Sequence, residues 1–153
     1  MIRRLALTAV VALGSMTTMS FAQQETDPNV NARKAYMGLL AYNIGVLGGM
    51  AQGRMDYDAA AASTAASNIH ALSMVDTSRM WADGTDNQSM EGTRALPAIW
   101  ENAADFDARI AAMASGAEAM VAAAGTDLAS LQGAIGGLGG ACGACHQSFR
   151  QPE

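Results

Sequence analysis

Residues 139–150 read Gly-Gly-Ala-Cys-Gly-Ala-Cys-His-Gln-Ser-Phe-Arg, close to the C-terminal end of the sequence. Cys142 and Cys145 lie three positions apart in this stretch, and His146 follows directly. The pattern Cys-x-x-Cys-His is the attachment sequence of c-type haem. Two thiols at this spacing can form thioethers with the two haem vinyl groups, and the adjacent imidazole can bind the iron. The motif therefore predicts one covalent haem c, attached through Cys142 and Cys145, with His146 as an iron ligand.

Other readings of the two cysteines explain less of the motif. A structural zinc site needs four Cys or His ligands, and the only further candidate in the chain is His70. A redox-active Cys-x-x-Cys is expected near a βαβ pattern, and the sequence shows no such pattern. A plain disulfide leaves the adjacent histidine without a role.

The N-terminal segment has the features of an export signal. A basic start, Met-Ile-Arg-Arg, is followed by an apolar run at residues 5–14 and by small residues that end at Ala22. This arrangement is typical of a cleaved signal peptide, and the apolar run is too short to anchor the chain in a bilayer. We therefore expect a signal peptide at residues 1–22, one domain at residues 23–153, and a periplasmic location.

The charge of the chain limits its partners. The formal net charge is −5, and cleavage after Ala22 would remove Arg3 and Arg4 and no acidic residue. Two haem carboxylates would add further negative charge. Such a protein is not expected to bind nucleic acid or an anionic membrane, whereas redox partner proteins remain candidates.

Four amphipathic stretches predict four helices in the domain. Asp27 and Pro28 form an N-cap and a first-turn proline, and the second helix is expected from about residue 56 to residue 75. The third helix is predicted at residues 97–124, and Asp127 caps the fourth. With short first and third connections, this pattern predicts an all-α, up-down-up-down antiparallel four-helix bundle.

Apolar residues at spacings of three and four predict which side of each helix faces inward. On the last helix both cysteines belong to this inward face, so we expect the haem inside the bundle, near the C-terminal end of the fourth helix. The inward positions are Val30, Met37, Leu40, Ile44, Leu47, Ile69, Leu72, Val75, Ile99, Trp100, Phe106, Ile110, Met113, Met120, Leu128, Leu131, Ile135, Leu138, Cys142, Cys145 and Phe149.

Two further features are unusual for a simple bundle. The connection at residues 76–96 is long for a compact domain, and Met80, Trp81 and Met90 could fold it back over a ligand. The last helix also contains several glycines, which are unfavourable in helices. These glycines are Gly136, Gly137, Gly139, Gly140 and Gly143. We interpret them as leaving room for the macrocycle or for a neighbouring helix. For Gly136 and Gly137 the alternative is fraying of the helix.

The sequence resembles the cytochrome c′ family, the class II c-type cytochromes. The resemblance rests on Cys142-x-x-Cys145-His146-x-x-Phe149-Arg150 at the C-terminal end, on Ala32-Arg33-Lys34-Ala35-Tyr36-Met37, and on Thr93-Arg94 before Pro97-Ala98-Ile99-Trp100. It implies haem contacts for the residues that occupy the family's binding positions, Arg33, Lys34, Thr93, Arg94 and Arg150.

The resemblance also places Met37 over the distal side of the haem, and it implies a homodimer formed through the first two helices. Arg33 is expected to pair with a haem carboxylate, because a guanidinium matches carboxylate geometry. Arg150 is expected beside the proximal imidazole. Both arginines have simpler alternatives, a solvated surface residue for Arg33 and a helix-dipole partner for Arg150.

The sixth position of the iron decides the function. If Met37 binds there, its soft thioether raises the potential, and one-electron transfer is the expected function. If Met37 only fills space, a five-coordinate iron can bind NO or CO for gas sequestration or detoxification. His70 is a weaker candidate for this position. We expect no enzyme activity, since no distal His and Arg pair of a peroxidase is identifiable near Met37.

Overall fold

A computed structural model describes residues 27–152 of the chain. The helices are α1 (Pro28–Ala51), α2 (Ala59–Ser73), α3 (Ala98–Glu101), α4 (Ala103–Ala123) and α5 (Leu128–Phe149), with a short 3-10 turn at Ser78–Met80. Helix α1 packs against α2 and α5, and α4 packs against the same two helices. The four long helices therefore form the predicted four-helix bundle. The predicted signal peptide lies outside the described residues.

Aspartate caps fix the start of three long helices, as predicted for Asp27 and Asp127. Asp27 Oδ1 accepts a hydrogen bond from the backbone N–H of Asn29 at 2.8 Å. Asp127 Oδ1 accepts one from Ser130 N at 2.7 Å, and Asp58 Oδ1 accepts one from Ala61 N at 2.8 Å. These bonds satisfy N–H groups that the first helical turn leaves without partners.

The prediction of one continuous third helix is wrong, because the chain leaves helical geometry at Asn102. This residue has φ −128° and ψ 49°, and it separates the short α3 from α4. Asparagine readily adopts non-helical conformations in which its side chain competes for backbone hydrogen bonds. The short α3 therefore forms a separate helical turn, and its Ile99 is buried.

The predicted inward position of Val75 is also wrong. Helix α2 ends at Ser73, and Val75 lies beyond it with 46% of its surface exposed. The last turn tightens there, since Met74 N bonds to Ala71 O and Val75 N bonds to Leu72 O. Ile69, by contrast, is fully buried as predicted.

The core contains most of the predicted inward residues and one that the pattern missed. Fully buried side chains include Val30, Leu47, Ile69, Met120, Leu131 and Leu138. Tyr36 was not on the predicted stripe, but it is buried and donates its hydroxyl hydrogen to Leu72 O at 3.3 Å. Met37, Ile44, Cys142 and Cys145 are only half-buried because they face a cavity.

The glycines of α5 do not receive a neighbouring helix of this chain. A Cβ atom built on any of Gly136, Gly137, Gly139, Gly140 and Gly143 would meet no heavy atom within 4 Å. The close approach lies instead at Gly116 of α4, where a Cβ atom would stand 3.1 Å from Cα of Leu138. Gly116 therefore allows α4 and α5 to pack closely.

The segment between α2 and α3 is tied to the end of α5. Ala95 and Arg150 form an isolated antiparallel bridge, Leu96 N donates to Phe149 O at 3.0 Å, and Gln151 N donates to Arg94 O at 2.8 Å. These bonds place residues 93–96 beside the Cys-x-x-Cys-His motif. Within residues 27–152, each helix is too short or too polar to cross a membrane.

Candidate haem site

One end of the bundle contains a cavity of about 830 Å³. This volume lies in the range typical of cofactor and ligand pockets. Helices α1, α3, α4 and α5 and the segment before α3 form its walls, whereas no residue of α2 does. Its apolar lining consists of Met37, Leu40, Ala41, Ile44, Gly45, Trp81, Gly92, Ala95, Ile99, Phe106, Ile110, Met113, Ala141 and Phe149.

Cys142, Cys145 and His146 line this cavity together from the last turns of α5. Both cysteines are free thiols and all three side chains are half-buried. Burial is the main cause that raises the pKa of both thiols, so they are protonated at neutral pH. Burial also lowers the pKa of His146, and the positive charges of Arg150 and Arg94 lower it further. A neutral imidazole is the form that binds a metal.

The α1 wall of the cavity contains Met37, whereas His70 lies on α2 and does not line the cavity. Met37 is half-buried and packs against the edge of the main core. The side chains of this wall near Met37 are Leu40, Ala41 and Ile44. His70 is therefore removed as a candidate for the sixth position, and Met37 stays.

Arg33 is buried, with 5% of its surface exposed, and it fastens the segment before α3 to α1. Its Nη1 donates to Met80 O at 3.1 Å and to Thr85 Oγ1 at 3.2 Å. Its Nη2 donates to Thr85 O at 2.9 Å and to Thr93 Oγ1 at 2.7 Å. Both terminal nitrogens of the guanidinium are thus engaged by the protein itself, which the sequence did not predict.

Burial is the main influence on the pKa of Arg33 and lowers it, while the negative charge of Asp27 raises it. A guanidinium nevertheless keeps its positive charge in proteins. Arg33 therefore brings a fixed positive charge into the wall of the cavity.

The cavity is cationic although the chain as a whole is acidic. Five positively charged residues line it, Arg33, Lys34, Arg94, Arg109 and Arg150, and among residues 27–152 no Asp or Glu lines it. Lys34 and Arg150 are exposed, and the half-buried Arg94 donates from Nε to Gln151 O at 3.0 Å. The positive charge suits a ligand that is apolar in its body and carries carboxylates at its edge.

Aromatic side chains close one side of the cavity. The ring centroids of Trp81 and Phe106 lie 4.8 Å apart at an angle of 73°, and those of Phe106 and Phe149 lie 5.3 Å apart at 88°. Trp100, predicted on the inward side of its helix, does not line the cavity; its Nε1 donates instead to Trp81 O at 3.0 Å. Trp100 thus supports the wall from behind.

Four residues of α4 line the cavity and were not predicted as site residues, Phe106, Arg109, Ile110 and Met113. The periodicity placed Phe106, Ile110 and Met113 on the inward side of α4, and Arg109 follows Phe106 by three positions, so it belongs to the same side. The periodicity could not show that this side of α4 faces a cavity near the N-terminal end of the helix and the hydrophobic core further along the helix.

The residues present fit a covalently attached haem. Two unpaired thiols and an imidazole stand at one place in the wall, the remaining lining is largely apolar, and its charges are positive. This combination matches the vinyl groups, the iron, the porphyrin body and the carboxylates of haem c.

The family described as Cytochrome C' matches residues 28–150. The chain belongs to the cytochrome c′ family. A cytochrome c-554 from Cereibacter sphaeroides is 42% identical over 148 residues, covering 97% of this chain and 97% of that protein. A cytochrome c′ from the same organism is 39% identical over 121 residues, covering 79% of this chain and 81% of the relative. The resemblance inferred from the sequence motifs is therefore confirmed.

Solved structures agree with this assignment. The cytochrome c′ described as from Rhodobacter Spheriodes aligns with a TM-score of 0.80 and 41% identity, covering 82% of this chain and 96% of that chain. A nitric oxide complex of a variant cytochrome c prime from Alcaligenes xylosoxidans aligns with a TM-score of 0.70 and 30% identity, covering 81% and 94%. The four-helix bundle and a single covalent haem c, both predicted from the sequence, are confirmed for this member of the cytochrome c′ family.

Proposed function

We propose that Cys142 and Cys145 attach the haem through thioethers and that His146 is an axial ligand of its iron. Three features support this assignment: the side chains share one cavity wall, the thiols are unpaired, and the imidazole is held neutral by burial and two arginines. When bound, the haem iron supplies one-electron redox chemistry and a second axial position.

The cationic residues act on the haem carboxylates and on the imidazole in this proposal. Lys34 and Arg94 stabilise carboxylate charge at the mouth of the cavity, and Arg150 favours the neutral form of His146. Thr93 is buried and holds Arg33 in place through its hydroxyl oxygen. Its role is therefore to position Arg33.

We propose that the second axial position binds a small uncharged gas such as NO or CO. The observation that carries this proposal is the apolar part of the α1 wall, in which Met37, Leu40, Ala41 and Ile44 line the cavity without charge beyond the cationic Arg33 and Lys34. The names of several relatives favour the same function, since they are cytochromes c′ and one solved relative is a nitric oxide complex. Gas binding is therefore our first candidate function, whereas the sequence alone favoured electron transfer.

Electron transfer with Met37 as the sixth ligand is the second candidate. It is favoured by the half-buried position of Met37 in the cavity wall, which differs from that of a methionine filling the core. A relative named cytochrome c-554 is also more similar to this chain, at 47% identity over 124 residues, than the cytochrome c′ at 39%. A thioether ligand would favour the ferrous state.

Absorption spectra of the holoprotein and of a Met37→Leu variant decide between the two candidates. For gas binding we expect a high-spin spectrum that changes at once with CO and that Met37→Leu leaves nearly unchanged. For electron transfer we expect a low-spin spectrum whose near-infrared Met-to-iron band disappears in Met37→Leu. Met113→Leu is the matched control, because Met113 lines the cavity from α4. A low-spin spectrum sensitive to Met37 alone would reject five-coordinate iron as the resting state.

The thioether assignment is tested by mass spectrometry of exported protein. We expect Cys142→Ala and Cys145→Ala each to reduce the yield of haem-loaded protein, and the double variant to carry no covalent haem. Recovery of full haem mass in the double variant would contradict the assignment.

We also propose export to the periplasm, with residues 1–22 removed as a signal peptide. The mass of the secreted protein tests this, since it should correspond to a chain that begins at Gln23.

Redox partner proteins are the expected partners. Dimerisation through α1 and α2 is a further proposal, supported by the exposed side chains of Leu39 and Tyr42 on α1. A Tyr42→Glu variant that keeps the oligomeric state in light scattering would contradict it.

A further inference from the structure

The rim of the cavity has a charged part and an apolar part. Where a residue that lines the cavity is itself exposed, the cavity reaches the surface, and five such residues occur in the part of the chain that the structure describes. Lys34 and Arg150 carry positive charge, and Gly92 belongs to the segment before α3. Ala41 and Gly45 of α1 carry no charge and no polar side chain. The cavity is therefore open to solvent along an apolar edge as well as a cationic one.

The apolar part of the rim leads to Met37. Met37, Ala41 and Gly45 follow one another at spacings of four, which places them in successive turns on one side of a helix. Met37 is half-buried, whereas Ala41 and Gly45 are exposed, and all three line the cavity. This edge of α1 therefore runs from the surface to the wall that contains Met37.

The side chains at this edge are too small to close it. Ala41 contributes one methyl group and Gly45 contributes none. A Cβ atom built on Gly45 would meet no heavy atom within 4 Å, and Gly45 has no positive φ. Neither packing nor backbone conformation within the described chain requires a glycine there, although glycine weakens a helix relative to alanine. What glycine provides at this position is open space at the rim.

The charge of the rim distinguishes the two parts chemically. NO and CO are uncharged, so the cationic part gives them no electrostatic advantage, whereas it attracts carboxylates. His146 stands on α5, and the proposed gas position faces the α1 wall, where Met37 stands. Ala41 lies one helical turn from Met37 and borders an apolar path to that position.

We propose that small uncharged gases enter the cavity past Ala41 and Gly45, and that the size of these two side chains controls the rate of gas binding. The proposal rests on the proposed gas-binding function and adds the residues that control access to the iron. These residues act on the barrier to entry and exit, and they make no contact with the bound gas.

The test measures CO binding to the ferrous holoprotein by stopped flow and by laser photolysis. In Gly45→Leu and Ala41→Leu we expect the association and dissociation rates both to fall about tenfold, which corresponds to about 1.4 kcal/mol in each barrier. The equilibrium constant should stay the same, because a barrier on the path slows both directions equally. After photolysis, a larger fraction of CO should rebind without leaving the protein. The C–O stretching band should keep its position, since neither side chain contacts the bound gas.

Gly38→Leu is the matched control. Gly38 is exposed on α1 and a Cβ atom there would also meet nothing within 4 Å, but Gly38 does not line the cavity. Each glycine variant replaces a poor helix former by a good one, so we expect both proteins to fold. Gly38→Leu should keep the CO rates of the wild type, and Gly45→Ala should give rates between those of the wild type and Gly45→Leu.

Equal CO association rates in Gly45→Leu and Gly38→Leu would overturn the proposal. A slower association with unchanged dissociation would also overturn it, because it would place the two residues at the bound gas instead of on the path to it. A wild-type protein that forms no CO adduct, or forms it at a rate independent of CO concentration, would reject the gas-binding function and this proposal with it. The two kinds of failure are distinguishable, since only the last is seen in the wild-type protein.

Discussion

Replacing Arg33 with lysine should weaken the attachment of the segment before α3 while keeping the positive charge. Arg33 makes four hydrogen bonds from two nitrogens to Met80, Thr85 and Thr93. A lysine has one nitrogen and a shape that cannot span both sets of acceptors. It would therefore leave about half of these bonds unmade, and it would lose the contact between the guanidinium and the Trp81 ring, whose centroid lies 4.8 Å from the guanidinium carbon.

The magnitude follows from the bonds lost. Hydrogen bonds to a charged group contribute roughly 1.5 kcal/mol each or more, so the loss of two predicts a free energy of unfolding lower by about 3 kcal/mol. For a domain of this size, 1 kcal/mol corresponds to roughly 4 °C in Tm. We therefore expect the Tm of the holoprotein, followed by circular dichroism, to fall by about 10 °C.

Local and matched measurements make the prediction specific. Amide hydrogen exchange should accelerate near Thr85 and Thr93 more than in α2, because the lost bonds tie that segment to α1. Arg54→Lys is the matched control, since Arg54 is exposed beyond the end of α1. A Tm change in Arg33→Lys no larger than in Arg54→Lys, together with unchanged exchange, would refute the reasoning.

The close contact between Gly116 and Leu138 and the carboxylate of Asp86 give two further predictions. Gly116→Ala should lower the free energy of unfolding by about 1–2 kcal/mol, because its Cβ would stand 3.1 Å from backbone Cα of Leu138 and overpacking outweighs the gain in helix propensity. Gly133→Ala, where the added Cβ meets nothing within 4 Å, should instead raise that free energy by about 0.5–1 kcal/mol. Urea denaturation measures both changes. Changes of the same sign in the two variants would contradict the close contact at Gly116. A hydrogen bond from the Ser89 hydroxyl is the main cause that lowers the pKa of Asp86, and backbone N–H groups lower it further. The ionised Asp86 carboxylate therefore stabilises the folded protein above its unfolded pKa of about 4. This stabilisation is lost as the pH falls through the lower pKa that Asp86 has in the folded protein. Asp86→Asn should therefore destabilise the protein at pH 7 and have a smaller effect near pH 3, and a difference in stability independent of pH would contradict this.

Local sequence signals were sufficient for the haem motif and for the outline of the bundle. Asp27, Asp58 and Asp127 cap their helices through bonds to N–H groups two or three residues away, so these starts depend on sequence neighbours alone. The Cys-x-x-Cys-His spacing likewise places Cys142 and His146 on one wall by helix geometry. Such features are predictable because their partners lie within one helical turn.

Features that depend on distant partners were decided by the tertiary structure. Arg33 donates hydrogen bonds to Met80, Thr85 and Thr93, which lie 47, 52 and 60 positions further along the chain. These partners lie in a segment without regular periodicity. The burial of Tyr36 arises in the same way, since it depends on which surface another element covers. The sequence by itself determined the cofactor and the helices that carry it, because thiol spacing and capping are local. Only the folded chain decided which donors face the cavity, because that choice depends on hydrogen bonds made across the bundle.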